Sequence, residues 1–320
     1  APPAILSAFV GQQLSEIIER LMKGEAAKDP ETFLLELGVG KLPAVSKDNT
    51  DRNRTSPFAF TGNKFEFRAV GSSQNCAVPM TVLTAAAADA LHDMTERLKH
   101  KLGGLPAHRD QAVLELLREV FTETAAVRFE GNGYSEEWKA EAARRKLPNL
   151  ADTPAALAEV MKPEHHEFLI RTGVLSQLEV DARFNVAAER YLKQVFLEAE
   201  TLVDLLNTAV VPAVERQLVT TGAAWRVVTE ASGTAKGSPY GKRVTALATG
   251  LETVQDGVAH IVALLETVRA THDELEAGRV LGGKMRPLMQ EVRDAADRLE
   301  ALVDDEHWPL PKYREMLFVK

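Results

Sequence analysis

The chain has 320 residues, of which 45% are hydrophobic and 26% charged, and its net charge is −8 at pH 7. This is the composition of a globular protein, and the negative charge, which no basic stripe offsets, argues against a nucleic-acid partner. The single cysteine, Cys76, excludes a disulfide or a cysteine-based zinc site within one chain and is interpreted as a small packing residue. No apolar run approaches the ~20 residues that a membrane-spanning helix needs, so no membrane partner is expected.

The first predicted element is an amphipathic helix from Ile5 to Met22, because apolar residues recur there near the helical period. Gly24 is expected to end this helix. A loop with a short strand near 39–42 follows. Residues 58 to 69 predict one or two strands that turn at Thr61-Gly62-Asn63, since Gly and Asn tolerate the positive φ of a hairpin.

The second of these strands carries a dense group of charges and aromatic rings. Lys64, Glu66 and Arg68 fall at alternate positions and share one face. Phe65 and Phe67 take the other face, towards a core. A carboxylate between two cations is favoured in its ionised form. A metal ion or an anionic substrate would use such a row directly, and the alternative is a solvated strand face with ordinary surface ion pairs.

From Val78 onward the chain is predicted to be helical. Pro212 removes one backbone hydrogen bond and should kink its helix near Val210–Val211. Residues 232–243 are expected to be an exposed link, since they lack the Walker spacing and no strand leads into them. Three long helices separated by loops predict a helical hairpin or bundle. The predicted helices are 80–102, 109–126, 135–145, 176–220, 244–275 and 286–303, with shorter ones opening at Thr153-Pro154 and at Pro163.

Few other residues suggest a site. His165 and His166 are adjacent, so on a helix they would point about 100° apart, and they are interpreted as part of a solvated polar stretch. His92 and Glu96 have the i, i+4 spacing of a metal pair but lack the second His of the zinc-protease pattern, so we expect an ion pair or no interaction. Trp308 and the Pro-Leu-Pro after it are expected to dock the C-terminal tail on the body of the protein.

Five segments occur in an order that one known family shares. They are Ala1-Pro2-Pro3-Ala4-Ile5, Asn53-Arg54-Thr55 with the run from Lys64 to Arg68, EGNGYSEEW at 130–138, RRKLPNL at 144–150 and WPLPKYREMLF at 308–318. Together they resemble glutamine synthetases, and most closely the long type III bacterial enzymes. The first segment is similar to the piece that follows the family's conserved Glu. The resemblance covers essentially the whole chain.

The resemblance implies an α+β, mostly α fold. Residues 1–75 would hold the last strands of the catalytic barrel, and residues 76–320 a large helical region with long antiparallel helices. It also implies that the chain is the C-terminal part of a longer synthetase, with a β-grasp domain and most of the barrel ahead of it. The isolated chain is therefore expected to be inactive.

The implied reaction is the ATP-dependent ligation of ammonia to glutamate through γ-glutamyl phosphate, a step of nitrogen assimilation that uses Mg²⁺ or Mn²⁺. Glu66 matches the family's metal-ligating Glu, and Arg68 matches the Arg that holds glutamate. Arg54 matches a catalytic Arg that faces glutamate and the transferred phosphate. Lys64 stands where type I enzymes carry an ATP-contacting Arg. A further phosphate-contacting Arg of type I enzymes has no counterpart, and Arg52 is the candidate to replace it.

The resemblance also implies a cytoplasmic homo-oligomer, a dodecamer of two hexameric rings. The alternative function is a non-catalytic helical assembly or regulatory module that keeps a remnant of the barrel, in which the long helices make oligomer contacts. Completeness of the site discriminates between the two functions. A working site needs further acidic ligands, whereas a pure binding protein has no reason to keep four charged residues together.

Overall fold

A computed structural model describes residues 5–24, 34–35, 45–46, 55–68, 75–103, 109–233 and 238–317. These residues are mostly helical and include a small three-stranded sheet, which confirms a mostly α chain with some β structure. Contacts divide the chain into two compact units. The first contains Ala1–Ala151 and Lys162–Gln177, and the second contains Asp152–Met161 and Leu178–Lys320. The boundary between a barrel part and a helical part at residue 75 stays a prediction.

Within the described residues, the first unit contains five short strands in two sheets. Strand β1 (Ala8–Phe9) is a short neighbour of β4 (Phe58–Phe60), and the two run parallel. Strand β4 pairs antiparallel with β5 (Phe65–Phe67), which gives the order β1-β4-β5. Strands β2 (Leu34–Leu35) and β3 (Val45–Ser46) form a separate antiparallel pair. Strand β5 therefore lies at an edge of the three-stranded sheet.

The hairpin between β4 and β5 confirms the predicted turn. Gly62 has a φ of 98°, a conformation that glycine adopts without steric cost. The Thr61 N–H donates to the Lys64 carbonyl at 2.9 Å, and the Arg68 N–H donates to the Pro57 carbonyl at 2.8 Å. The strand predicted near 39–42 lies outside the described residues.

The predicted helix from Ile5 to Met22 is wrong in its first half. The chain is extended through β1, and helix α1 spans only Gln12–Lys23. Gly11, with a φ of 85° and a ψ of 153°, interrupts helical geometry ahead of α1, and the residues before it pair with β4 instead. Gly24 ends the helix in the left-handed conformation, as predicted.

The helices that follow agree with the predicted ones to within a few residues. The Ser135 hydroxyl accepts a hydrogen bond from the Trp138 N–H at 3.2 Å and so caps the helix that begins at Glu136. The Arg171 guanidinium donates to both carboxylate oxygens of Asp89, at 2.8 and 2.7 Å, and so joins two helices of the first unit. These helices are α2 (Ala77–Leu102), α3 (Arg109–Glu123), α4 (Glu136–Arg144), α5 (Thr153–Val160), which belongs to the second unit, and α6 (Pro163–Arg171).

The second unit is a packed set of long helices. Helix α9 packs against α8 and α11, which confirms the predicted bundle. Gly250 of α9 faces Leu299, and Gly257 faces Val292, so α9 and α11 run antiparallel. The core between these helices is built from fully buried aliphatic side chains. The elements are α7 (Gln177–Leu205), α8 (Val211–Ser232), α9 (Pro239–Ala270), α10 (Glu274–Val280), α11 (Arg286–Glu300) and α12 (Tyr313–Met316).

A π-helical segment precedes Pro212. Residues Leu206–Val210 adopt this form, and the Val211 N–H donates to the carbonyl five residues earlier instead of four. Proline has no N–H, and its ring displaces the carbonyl four residues before it, so the ladder must be rearranged there. The kink predicted near Val210–Val211 stays a prediction, and the structure shows a π segment directly before Pro212. The same form recurs at Leu281–Met285, ahead of Pro287.

Two predictions about exposure are wrong and one is confirmed. Cys76 is exposed and is therefore not a packing residue. His166 is only 3% exposed, because α6 turns it inward, so the stretch it belongs to is not wholly solvated. Trp308 is 8% exposed and packs in the core of the second unit, which confirms that the C-terminal tail is docked.

The segment predicted as an exposed link is shorter than expected. Helix α8 continues to Ser232, and the Ser238 hydroxyl caps α9 by accepting from the Gly241 N–H at 3.2 Å. Residues 234–237 lie outside the described part. No helix within the described ranges is long and apolar enough to cross a membrane.

Candidate active-site strand

Strand β5 and the residues beside it bring together three of the five predicted site residues. The Lys64 Nζ lies 3.6 Å from Glu66 Oε1, and the Arg68 Nη2 donates to Glu66 Oε2 at 3.1 Å. The predicted row of cation, anion and cation therefore exists as a contiguous group. The other two predicted residues, Arg52 and Arg54, lie outside the described residues.

Exposure falls steeply along this row. The side chains of Lys64, Glu66 and Arg68 are 65%, 39% and 16% exposed. An ion pair at an exposed lysine contributes little, because water and salt screen it. The Arg68 guanidinium is more shielded and makes a shorter contact. Arg68 thus holds Oε2 of Glu66, and Oε1 can exchange its contact with Lys64 for a contact with another cation.

The aromatic face of β5 does not point into a core, contrary to the prediction. Phe65 is 49% exposed and Phe67 is 40% exposed. Their strand lies at the edge of the three-stranded sheet, and the Phe65 ring packs on neighbours across the hairpin. The Phe65 ring stacks on Phe58 with centroids 4.8 Å apart and approaches Phe60 at 5.2 Å. The aromatic residues stabilise the hairpin itself rather than a hydrophobic interior.

The backbone of Glu66 is fixed through the sheet. Glu66 lies opposite Ala59 in the β4–β5 register, and Ala59 lies opposite Phe9 in the β1–β4 register. Ala59 is completely buried. Phe9, Ala59 and Glu66 thus form one row across the three strands, so the position of β1 determines where the Glu66 backbone lies.

Residues 128 to 138 fasten to this sheet from its other side. Arg128 forms a parallel bridge with Ala8, and the Phe129 N–H donates to the Ala8 carbonyl at 3.2 Å. The Gly133 N–H donates to the Thr55 carbonyl at 2.8 Å. The turn at Asn132-Gly133-Tyr134 is therefore also a docking point on the strand region.

Sequence reasoning missed Glu130 in this segment. Its carboxylate binds the start of α1, and the two partners are more than a hundred residues apart. The only signal in the sequence is negative. Helix α1 opens at Gly11 without an acidic residue in its first turn, so a carboxylate from elsewhere can bind there.

A divalent metal is partly accommodated by the residues present. The Glu66 carboxylate is a hard oxygen ligand of the kind that Mg²⁺ and Mn²⁺ prefer. Within the described ranges, no three His, Cys, Asp or Glu side chains form a group that could hold a metal. Glu66 can therefore supply one ligand, and further ligands must come from outside these ranges.

At the His92 and Glu96 positions, Lys99 donates to Glu96 at 2.8 Å and holds the pKa of that carboxyl below its ordinary value.

Comparison with known proteins gives consistent matches. A family model described as the glutamine synthetase C-terminal domain matches residues 112–223. A glutamine synthetase of Bacteroides fragilis (strain YCH46) is 36% identical over 328 residues, which cover 100% of this chain and 45% of that protein. A type-3 glutamine synthetase of Dictyostelium discoideum is 34% identical, with 100% and 44% covered. A glutamine synthetase of Butyrivibrio fibrisolvens is 30% identical, with 99% and 45% covered.

These matches identify a chain of the glutamine synthetase family, with the helical C-terminal domain of that family at its centre. More particularly, the chain is the C-terminal portion of a type III glutamine synthetase, as its motifs predicted. It spans a little under half the length of the curated relatives it matches, 45% and 44% of the first two.

Proposed function

We propose that this chain forms part of a complete synthetase that joins ammonia to glutamate at the expense of ATP. The observation that carries the proposal is the row of Lys64, Glu66 and Arg68 on β5, in a chain of this family. The three charges are close enough to act on one anionic substrate. A row with this order of charges suits phosphoryl transfer, in which negative charge must be bound and held in position.

The proposed reaction has two steps. The γ-phosphoryl group of ATP passes to the γ-carboxylate of glutamate, which gives ADP and γ-glutamyl phosphate. Ammonia then attacks the acyl carbon, phosphate leaves, and a proton lost from the nitrogen completes glutamine. Mg²⁺ or Mn²⁺, when bound, would neutralise charge on the phosphate oxygens. Glu66 would supply one oxygen ligand for that ion, and its pairing with Arg68 orients the carboxylate.

Arg68 is suited to holding the substrate glutamate. Its side chain is 16% exposed, so the guanidinium is restrained, and its Nη2 donates a hydrogen bond to Glu66. A guanidinium is suited to bidentate binding of a carboxylate, the group that the proposal assigns to Arg68. Lys64 is exposed, which suits contact with a phosphate of ATP. Arg54 is proposed to face the glutamate and the transferred phosphate, and Arg52 to contact ATP, on their match to the family motif alone.

The second candidate function is a helical assembly or regulatory module. The observation that favours it is a set of large apolar side chains exposed on α7 and α8, namely Leu178, Val186, Leu197, Val219 and Val227, which are 64% to 77% exposed. A contiguous exposed apolar patch commonly marks a contact with another protein, and this alternative takes these side chains to form such a patch. They fit the proposed dodecamer of two hexameric rings equally well, so this observation adds oligomer contacts to the catalytic proposal without replacing it. A cytoplasmic location is proposed on family grounds.

The decisive experiment substitutes the row in the complete synthetase. We expect Glu66→Ala to abolish nearly all glutamine formation and to raise the metal concentration needed for half-maximal rate, by roughly ten- to hundredfold. Arg68→Ala should mainly raise the KM for glutamate, because it removes a carboxylate grip. Glu136→Ala is the matched control. Glu136 is an exposed glutamate, and within the described residues it forms an ion pair with Lys139 alone. A Glu66→Ala enzyme with unchanged rate and metal requirement would refute the assignment and favour the non-catalytic module.

A further inference from the structure

Helix α1 begins without a cap of its own. Gly11 occupies the N-cap position and offers no side chain, and the first turn contains no acidic residue. The first N–H groups of a helix have no partner inside it, and the helix dipole makes this end attractive to a carboxylate. A carboxylate from elsewhere in the chain can therefore bind favourably at the start of α1.

Glu130 supplies that group from more than a hundred residues away. Its Oε1 accepts from the Val10 N–H at 3.1 Å and from the Ser15 hydroxyl at 2.8 Å, and its Oε2 accepts from the Gly11 N–H at 3.0 Å. Three donors converge on the two oxygens of one carboxylate. A carboxylate can accept on both of its oxygens, whereas an amide would set its own NH₂ group against one of these donors.

The contact falls next to the row that carries Glu66. Val10 directly follows Phe9, which lies opposite Ala59, which in turn lies opposite Glu66. The carboxylate of Glu130 therefore fixes the end of β1 one residue from this row. Because Ala59 is completely buried, a shift of β1 cannot be absorbed by solvent and must pass to β4 and β5.

Two further anchors hold the same segment in place. The Trp138 ring is fully buried, and its Nε1 donates to the Ile5 carbonyl at 3.2 Å. The Gly133 N–H donates to the Thr55 carbonyl, and a Cβ at Gly133 would lie 3.2 Å from that oxygen. These contacts tie the segment to the chain before β1 and before β4, and the bond from the Phe129 N–H to the Ala8 carbonyl ties it to β1 itself. Glu130 is the contact that ties it to the far end of β1.

We infer that Glu130 is a positioning residue for the active site, which it serves by fixing β1 and thereby the backbone that presents Glu66. The inference rests on the proposed function. It does not require Glu130 to touch substrate, ATP or metal. It assigns a role in the chemistry to the EGNGYSEEW segment, which otherwise is a turn and the start of a helix.

The test compares Glu130→Gln with Glu136→Gln in the complete synthetase. Both changes remove one negative charge from the same segment, but Glu136 is an exposed residue paired with Lys139 at 2.6 Å. A displacement of about 1 Å at a catalytic centre can lower the rate roughly a hundredfold. We therefore expect Glu130→Gln to lower kcat roughly ten- to hundredfold and to raise the half-saturating Mg²⁺ concentration, while Glu136→Gln leaves both unchanged. Glu130→Asp, which keeps the charge, should recover part of the loss.

A separate readout distinguishes positioning from general destabilisation. Amide hydrogen exchange should quicken in the β4–β5 hairpin of Glu130→Gln, while the far-UV circular dichroism and the exchange of the second unit stay as in the wild type. Kinetic constants per folded enzyme that equal the wild-type values would overturn the inference. So would unchanged exchange in the hairpin. If Glu130→Gln does not fold, Ser15→Ala, which removes one of the three donors, is judged by the same criteria.

The two proposals can fail independently. If the wild-type complete protein makes no glutamine with ATP and Mg²⁺, the proposed function is wrong. The exchange measurement then decides on Glu130 alone, because it reports on the strands without any need for turnover. If the wild type is active and Glu130→Gln matches it in rate, metal requirement and hairpin exchange, only the positioning role is wrong.

Discussion

Adding a methyl group at Gly257 should destabilise the helical second unit. Gly257 lies in α9 against α11, and a Cβ built there would fall 2.2 Å from Val292 Cγ2. Val292 is 2% exposed and belongs to the core. Carbon atoms in good contact are ~3.5–4.0 Å apart, so the two helices must separate or the valine must rotate. A β-branched side chain has one favoured rotamer in a helix, which makes rotation costly.

The expected magnitude follows from two opposing effects. Overpacking a well-packed core costs about 1–3 kcal/mol, and a contact this short belongs at the upper end. Replacing glycine by alanine within a helix returns about 1 kcal/mol through helix propensity. The net loss in the free energy of unfolding for Gly257→Ala is therefore about 2 kcal/mol. For a unit of this size that corresponds to a drop in Tm of roughly 4–8 °C.

Gly222→Ala is the matched control, because a Cβ at that position of α8 has no atom within 4 Å. It should gain the propensity term alone and raise Tm slightly. Thermal unfolding of both variants, followed by far-UV circular dichroism, separates the clash from the propensity. Adding Val292→Ala to Gly257→Ala should relieve the clash and recover part of the loss. A Gly257→Ala protein as stable as Gly222→Ala would refute the account of close helix packing.

Two further predictions concern pH and the chain by itself. The guanidinium groups of Arg144 and Arg145 lower the pKa of Glu141 from its ordinary value of 4.5 to about 2. The stability that this carboxylate contributes is therefore present above pH 4.5 and is lost as the pH falls towards 2. Glu141→Gln should therefore lower the urea midpoint at neutral pH but converge with the wild type between about pH 4.5 and pH 2, and equal midpoints at neutral pH would contradict this. The 320 residues alone should form no glutamine with ATP and Mg²⁺, since the described ranges offer no group of three metal-ligand side chains, and detectable product from the purified chain would show that the site needs no further ligands.

The helical part of this fold could be predicted from sequence because its signals are local. Ser135 caps α4, Gly24 and Gly103 end their helices in the left-handed conformation, and Pro212 marks the irregular turn. Each signal lies within a few residues of the feature it determines. The row at Lys64, Glu66 and Arg68 was predictable for the same reason, since alternation along one strand places its side chains on one face.

The errors arise where distant segments decide the structure. Residues 8–9 have the apolar spacing of a helix, yet they pair with β4, because a strand neighbour fifty residues away competes with local propensity and Gly11 stops the helix. Phe65 and Phe67 alternate as a buried face should, but no rule of alternation says whether a further layer covers an edge strand. Alternation identifies the faces of a strand, and only the tertiary fold determines which face is buried.

Glu130 shows why a site can be read from sequence while its support cannot. The charged residues of the row can be recognised from their alternate spacing in the sequence, because they share one strand. The Glu130 carboxylate, which fixes their backbone, lies in another segment and accepts from the main-chain N–H groups of Val10 and Gly11. Every residue except proline has such an N–H group. Main-chain donors leave no mark in a sequence, so a positioning contact of this kind becomes visible only when the two segments are seen together. The segment that looked like a turn and a helix start is for this reason the first place to seek residues that control the rate without touching the substrate.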